Sequence, residues 1–271
     1  MSKNALRYSD TKLIKTKKPK SKKHGLFVFC LLCVLLVIFF ATGLGDALKV
    51  NSFPFLFKGE TLSISEHNYY AVLMGEYQTK SEAQGVASGV SVLGAGAYVW
   101  EVNNKFLVVG NVYKTKSDAE AVLKNISGNN YNVSVMEIKY NKLTIKSDKL
   151  EDEQEAELLN AVKFLDDLYN SVYDYSIKFD KSEIVATVVS SELNTIKGEL
   201  KVWASKLDAI NSYAVTNQGL AIKNTFVTLI EELDACVLKV INGTSVNKDL
   251  KYLVTSVAVE KYNLYNNLKT L

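Results

Sequence analysis

The chain has 271 residues but only two histidines, His24 and His67, and three cysteines, Cys30, Cys33 and Cys236. A serine or cysteine nucleophile needs a neighbouring base, usually histidine, and a zinc site needs three or four nitrogen, sulfur or carboxylate ligands. His24 borders a long apolar stretch, and His67 reads as a lone residue in a loop. No Ser-His-Asp, Cys-His or zinc-ligand set can be assembled from them. Paired carboxylates could cleave glycosides if two elements held them across a cleft. The clusters Glu151-Asp152-Glu153 and Glu231-Glu232 instead sit in helical patterns and read as solvated faces. The expectation is a non-enzymatic protein with no metal and no cofactor.

The elements that carry these residues are arranged around residues 25–45, GLFVFCLLCVLLVIFFATGLG, 21 residues without a charge. A helix of that length spans about 30 Å, the thickness of a bilayer's hydrocarbon core. Residues 1–24 form a basic arm holding Lys3, Arg7, Lys12, Lys15, Lys17, Lys18, Lys20, Lys22 and Lys23 against the single acid Asp10. Positive charge beside a span stays cytoplasmic, which predicts a single-pass membrane protein with its N-terminus inside. The arm abuts a span, so its partner is the anionic lipid surface of the bilayer and not nucleic acid. Of the 32 basic and 29 acidic residues, the arm takes nine and one; the remaining 23 and 28 give the outer part a net charge of −5. Cys30 and Cys33 fall in the span, so Cys236 is alone outside and no internal disulfide is available there.

Residues 46–66 read as a linker with an apolar clump at Phe53, Phe55, Leu56 and Phe57. Beyond it the pattern predicts a strand over 69–75 and a helix over 82–93 capped by Ser81. Strands over 97–102 and 106–112 follow, joined by an Asn103-Asn104 turn. A helix over 118–126 capped by Ser117 and a strand over 131–138 complete the series. The order is β-α-β-β-α-β, an antiparallel sheet covered by helices. An internal repeat runs through it: Gly75, Lys80-Ser81-Glu82 and Ala83 return as Gly110, Lys116-Ser117-Asp118 and Ala119, with the tripeptide Thr-Lys-Ser in both halves.

These features resemble the SPOR domain, the peptidoglycan-binding module named for sporulation-related repeats. The resemblance covers about residues 67–140. It rests on the aromatic-rich first strand leading to Gly75, on Tyr77 and Ala83, and on Gly110 and Ala119 in the second half. Single-pass anchoring with an exported module of this kind also resembles stage II sporulation protein B and cell-division proteins. The resemblance implies an RNP-like fold that binds glycan strands stripped of their stem peptides, and hence a role at the septum in division or sporulation. It places the glycan platform on the strands, at Leu73, Tyr77, Phe106, Val108 and Tyr113. Family members commonly show a polar group where this chain has Leu73 and Val108. Strand alternation sets Ala71 with Leu73, and Phe106 with Val108, on what the resemblance makes one apolar face. Either its aromatic residues stack on sugar rings, or another part of the molecule covers it; an exposed patch of this kind invites association.

From about residue 147 to 271 the strand signals stop. Apolar stripes at four-three spacing predict four helices. They run through Leu158, Val162, Leu165, Tyr169 and Val172; through Val189, Leu193, Ile196, Leu200, Trp203, Leu207 and Ile210; and through Ile222, Phe226, Leu229, Leu233, Cys236 and Val240. The fourth, less regular, runs through Leu250, Val254, Val257, Leu264 and Leu268. The expected architecture is therefore α+β: transmembrane helix, SPOR-like module and C-terminal antiparallel helical bundle. Two functions follow as expectations. One is a peptidoglycan-binding wall protein; the other is a membrane-tethered scaffold that no longer binds glycan and whose bundle meets a septal or sporulation protein.

Overall fold

A computed structural model of the chain describes residues 63–126, 131–243 and 245–270. The basic arm, the apolar stretch 25–45 and the phenylalanine clump lie outside the described residues. Among the described residues no helix is long and apolar enough to cross a membrane.

Among the described residues the fold is α+β, a four-stranded antiparallel sheet with six helices. Strand β1 (His67–Tyr77) leads through helix α1 (Lys80–Val92) to β2 (Tyr98–Val102), and β3 (Lys105–Tyr113) through α2 (Lys116–Ile126) to β4 (Ser134–Tyr140). The sheet order is β2-β3-β1-β4. The β2–β3 hairpin turns on Asn103 and Asn104, both at positive φ (51° and 59°), the backbone a tight two-residue hairpin requires. Four long helices follow: α3 (Asp152–Asp180), α4 (Ala186–Tyr213), α5 (Asn217–Asn242) and α6 (Val246–Thr270). Gly243 closes α5 in the left-handed conformation, and Thr216 caps its start through Gly219 N–H.

Both sheet-covering helices begin two residues before the positions expected for Ser81 and Ser117. Their caps are Thr79 and Thr115. The Thr79 hydroxyl accepts from Glu82 N–H at 3.3 Å while Glu82 reaches back to Thr79 N–H at 3.2 Å. Thr115 accepts from Asp118 N–H at 3.1 Å. The repeated Thr-Lys-Ser is therefore the start of a capping box, with the acid three residues after threonine. Helix α3 runs through Asp180, and the next helix starts at Ala186.

The expected common face of Ala71, Leu73, Phe106 and Val108 is divided. Residues directly opposite across an antiparallel pair share a face. Leu73 opposes Val109, which opposes Tyr98; Val108 opposes Gly75 and Val99. Gly110 is an extra residue on β3 and Met74 an extra residue on β1, and each such bulge shifts the parity by one. Leu73 and Ala71 thus share a face with Tyr98, whose ring meets Tyr252 of α6 at 5.1 Å. Val108 and Phe106 point to the other side, where α1 and α2 lie through Ala83, Ala87 and Ala119.

The sheet is therefore a middle layer. Helix α6 packs on β2, β3 and β4 and also on α3 and α5. Burial on both sides explains its irregular stripe: Val254, Thr255, Ser256, Val257, Ala258 and Val259 are buried in succession. The described residues form one compact unit, and the sheet and the helices share one hydrophobic core. Gly96 makes the close approach possible, because a Cβ there would lie 2.7 Å from the backbone of Lys251 and Tyr252.

Candidate functional site

The side of the sheet that faces α3 and α6 is aromatic. Tyr69 stacks on Tyr169 of α3 with centroids 4.0 Å apart, and the Tyr169 hydroxyl donates to the Val112 carbonyl at 3.2 Å. Trp100 meets Tyr262 edge to face at 5.2 Å. The Tyr140 hydroxyl donates to the Ala258 carbonyl at 2.7 Å, and the ring meets Tyr265 at 5.3 Å. These contacts hold all four strands against α3 and α6, and the hydroxyls of Tyr140 and Tyr169 are satisfied by backbone carbonyls.

Within this layer sits the one fully buried lysine of the described residues, Lys261, at 0 % exposure. It lies on α6 between Val257 and Leu264, on the apolar stripe. Its ammonium donates to Asp166 of α3 and to His67 Nε2 at 2.7 Å. It also lies over the rings of Tyr140, Tyr69 and Tyr265, at 4.3, 5.0 and 5.5 Å. Such ring faces attract a cation most strongly when it is desolvated. Asp166 also accepts from the Tyr69 hydroxyl at 3.3 Å.

His67 is not a loop residue. It is the first residue of β1, stacked on Tyr140 at 4.7 Å with the planes 6° apart. Its Nδ1 faces the Ser65 carbonyl oxygen at 3.2 Å. A carbonyl only accepts, so Nδ1 carries the proton. In the neutral ring Nε2 then presents its lone pair to Lys261, 3.2 Å from Asp166 Oδ1. The His67 and Asp166 side chains keep 27 % and 21 % exposure and form the outer wall of the site.

The electrostatics follow from this burial. Loss of water pulls the Lys261 amine down to about 8, against the opposing pull of Asp166. Burial works to raise the Asp166 carboxyl, but the charge of Lys261 and the hydrogen bond it donates outweigh it, and the group is held below its usual range. Burial pushes the phenols of Tyr69, Tyr140, Tyr169 and Tyr265 well above 10. An amine, a carboxyl and an imidazole in mutual contact, shielded by tyrosines, can exchange protons or condense.

The residues expected to form a glycan platform do not make one open face: Tyr77, Phe106 and Val108 lie together on the α1 and α2 side, and Leu73 lies on the other. Leu73 and Val108 are buried on opposite faces, and Tyr113 is buried with its ring 6.4 Å from Tyr173 of α3. Tyr77 and Phe106 are half-buried and pair across the β1–β3 ladder. None of Leu73, Val108 or Tyr113 can touch a polymer in this conformation. The reason is that α3 and α6 cover one face of the sheet and α1 and α2 the other. Gly75 has φ +145°, and a Cβ on it would meet the ring of Tyr77; Gly110 has only Met74 and a Val72 carbonyl at 3.3–3.5 Å. Ala83 and Ala119 are fully buried under the two helices. The Cys236 thiol is buried and pushed up to about 12 by desolvation, and Trp203, expected in the core, is half-buried beside Phe164. Glu232 is half-buried, not fully solvated, and burial raises its carboxyl despite Lys239.

Sequence reasoning missed Lys261 and Asp166. The available signal was a charge on an apolar stripe, since Val254, Val257, Lys261, Leu264 and Leu268 keep the three-four spacing. No family model matches the chain, and no curated protein and no solved structure matches it.

Proposed function

We propose that this chain is a non-enzymatic scaffold tethered to the outer face of a bacterial cytoplasmic membrane. In this reading the SPOR-like module no longer binds glycan on its strands, and the sheet and helices together present a rigid body to a septal or sporulation partner. The observation that carries the reading is the covering of both sheet faces. A module that held a glycan on its strands would need one of them open. The tether rests on the apolar stretch 25–45 and the lysine-rich arm before it.

The test is sedimentation of the detergent-solubilised full chain with intact wall sacculi and with sacculi stripped of stem peptides by an amidase. The expected result is equal, weak binding to both. Clear preference for the stripped glycan would overturn the scaffold reading and restore the wall-binding one.

A further inference from the structure

We propose that Lys261 and Asp166 condense into an intramolecular isopeptide bond, with His67 carrying the protons. The inference is independent of the tether and of any wall partner.

Three observations meet at one point. The amine and the carboxyl are already in contact, held by two rigid helices, so the encounter costs no further ordering. The lysine has no exposed surface, unlike those of the other described ion pairs; the Lys105–Glu76 pair, for example, is about half exposed on both sides. His67 touches both reacting groups, with Nε2 2.7 Å from Lys261 Nζ and 3.2 Å from Asp166 Oδ1. The bond between Nδ1–H and the Ser65 carbonyl holds the ring in the tautomer whose Nε2 can accept.

In water an ammonium and a carboxylate have no reason to form an amide. Here the amine has lost its hydration entirely and the carboxyl most of it, and a neutral amide replaces a desolvated ammonium and a largely desolvated carboxylate. Nε2 takes a proton from the ammonium and passes it to Oδ1. The free Nζ lone pair attacks Cγ, which becomes tetrahedral. A second proton leaves Nζ through Nε2 to Oδ1, the Cγ–Oδ1 bond breaks, and Oδ1 departs as water. Ammonium plus carboxylate thus gives amide plus water, with no change of oxidation state and no co-reactant. With the amine pulled down to about 8, roughly one lysine in ten is neutral at pH 7. The Tyr69 hydroxyl, 3.3 Å from Oδ1, steadies the carboxyl through the attack.

The product would join α3 to α6 across 95 residues. The portion after the apolar stretch has Cys236 as its single cysteine and cannot be cross-linked by an internal disulfide. An amide supplies the same constraint without an oxidant.

The experiment is intact-mass measurement of the purified full chain under denaturing conditions, followed by peptide mapping. The expected mass is that of the sequence less one water, with a branched peptide joining the segments that hold Asp166 and Lys261. Lys261→Arg and Asp166→Ala should show no water loss, a readout that does not depend on whether they fold. His67→Gln, whose amide oxygen can still accept from Lys261, should slow the mass change by on the order of a hundredfold. The undiminished mass after prolonged incubation at neutral pH would overturn the proposal. So would a water loss without the branched peptide. An unchanged rate in His67→Gln would overturn the role of His67.

Discussion

The two faces of the sheet are built by different means. On the α1 and α2 side small side chains do the packing: Ala83 and Ala119 are fully buried and Ala87 nearly so, which lets short helices lie close to the strands. On the α3 and α6 side the fill is aromatic and polar, with His67, Tyr69, Tyr98, Trp100 and Tyr140 meeting tyrosines of the helices. That side also carries a cost, since Trp100 Nε1 and the Tyr265 hydroxyl find no hydrogen-bond partner among the described residues. The first face follows from a short repeat in the sequence. The second depends on two helices that follow the strands in sequence, and it holds the cluster of Lys261, Asp166 and His67. The difference teaches that the repeat specifies a sheet-and-helix unit, while the later helices determine what that unit can touch.

The strongest way to break the comparison is to make each face polar. Leu73→Gln tests the aromatic side and Val108→Arg the alanine side. Each removes a buried aliphatic group, worth about 1.5–3 kcal/mol, and buries polar atoms without partners at roughly 1–3 kcal/mol more. The double variant should lose several kcal/mol in urea unfolding, with both single variants contributing. A Leu73→Gln protein as stable as the parent would mean that the aromatic face is open in solution.

Alkali should separate the faces next. Tyr69, Tyr98, Tyr140, Tyr169 and Tyr265 all belong to the aromatic side, and burial raises every one of their phenols. In the unfolded chain these groups ionise near 10. Above that pH the folded state therefore binds more protons than the unfolded one, and stability falls as pH rises. Phenolate absorbance should lag behind that of a denatured control, then rise together with unfolding. Simple ionisation of all tyrosines near pH 10 with the fold intact would contradict a sealed interface.

The glycines sharpen the argument at single positions. Gly75 combines φ +145° with a Cβ direction filled by the Tyr77 ring, whose Cζ would be 2.7 Å away. Gly75→Val should cost about 1–3 kcal/mol. At Gly110 the nearest obstacle is the flexible Met74 Sδ, at 3.3 Å, so Gly110→Ala should cost less. Comparing the two melting curves measures whether the shape of the first strand or the bulge of the third is the tighter constraint.

Much of this architecture was legible in the sequence, for reasons that can be named. The order of elements along the chain followed from apolar runs broken by Asn103-Asn104 and by the capped helices, and the stripes on α3, α4 and α5 fell on buried residues except at Trp203. What was not legible came from outside the local pattern. The parity of β3 changes at Gly110; a glycine inside a strand can mark a bulge, but it does not by itself fix the pairing on either side, and the second bulge at Met74 has no such mark. Helix α6 gave an irregular stripe because it serves two layers at once. His67, Asp166 and Lys261 stand far apart in the chain, and only the docking of α3 and α6 onto β1 makes them neighbours.

The smallest effects should come from the caps, and they bear on the repeat itself. Thr79 and Thr115 hold equivalent places in the two halves, each accepting from the backbone three residues on. At Thr79 the box is closed from both sides, because Glu82 also accepts from the Thr79 N–H. At Thr115 the shorter Asp118 side chain bonds the threonine hydroxyl instead, at 2.7 Å. Replacing either threonine by alanine should cost about 1 kcal/mol. If the closed box matters, Thr79→Ala should cost a few tenths more than Thr115→Ala, and Glu82→Ala should recover most of that difference. Two equal losses would mean that the threonine hydroxyl alone starts each helix, and that the acid three residues on contributes only through the charge of the first turn.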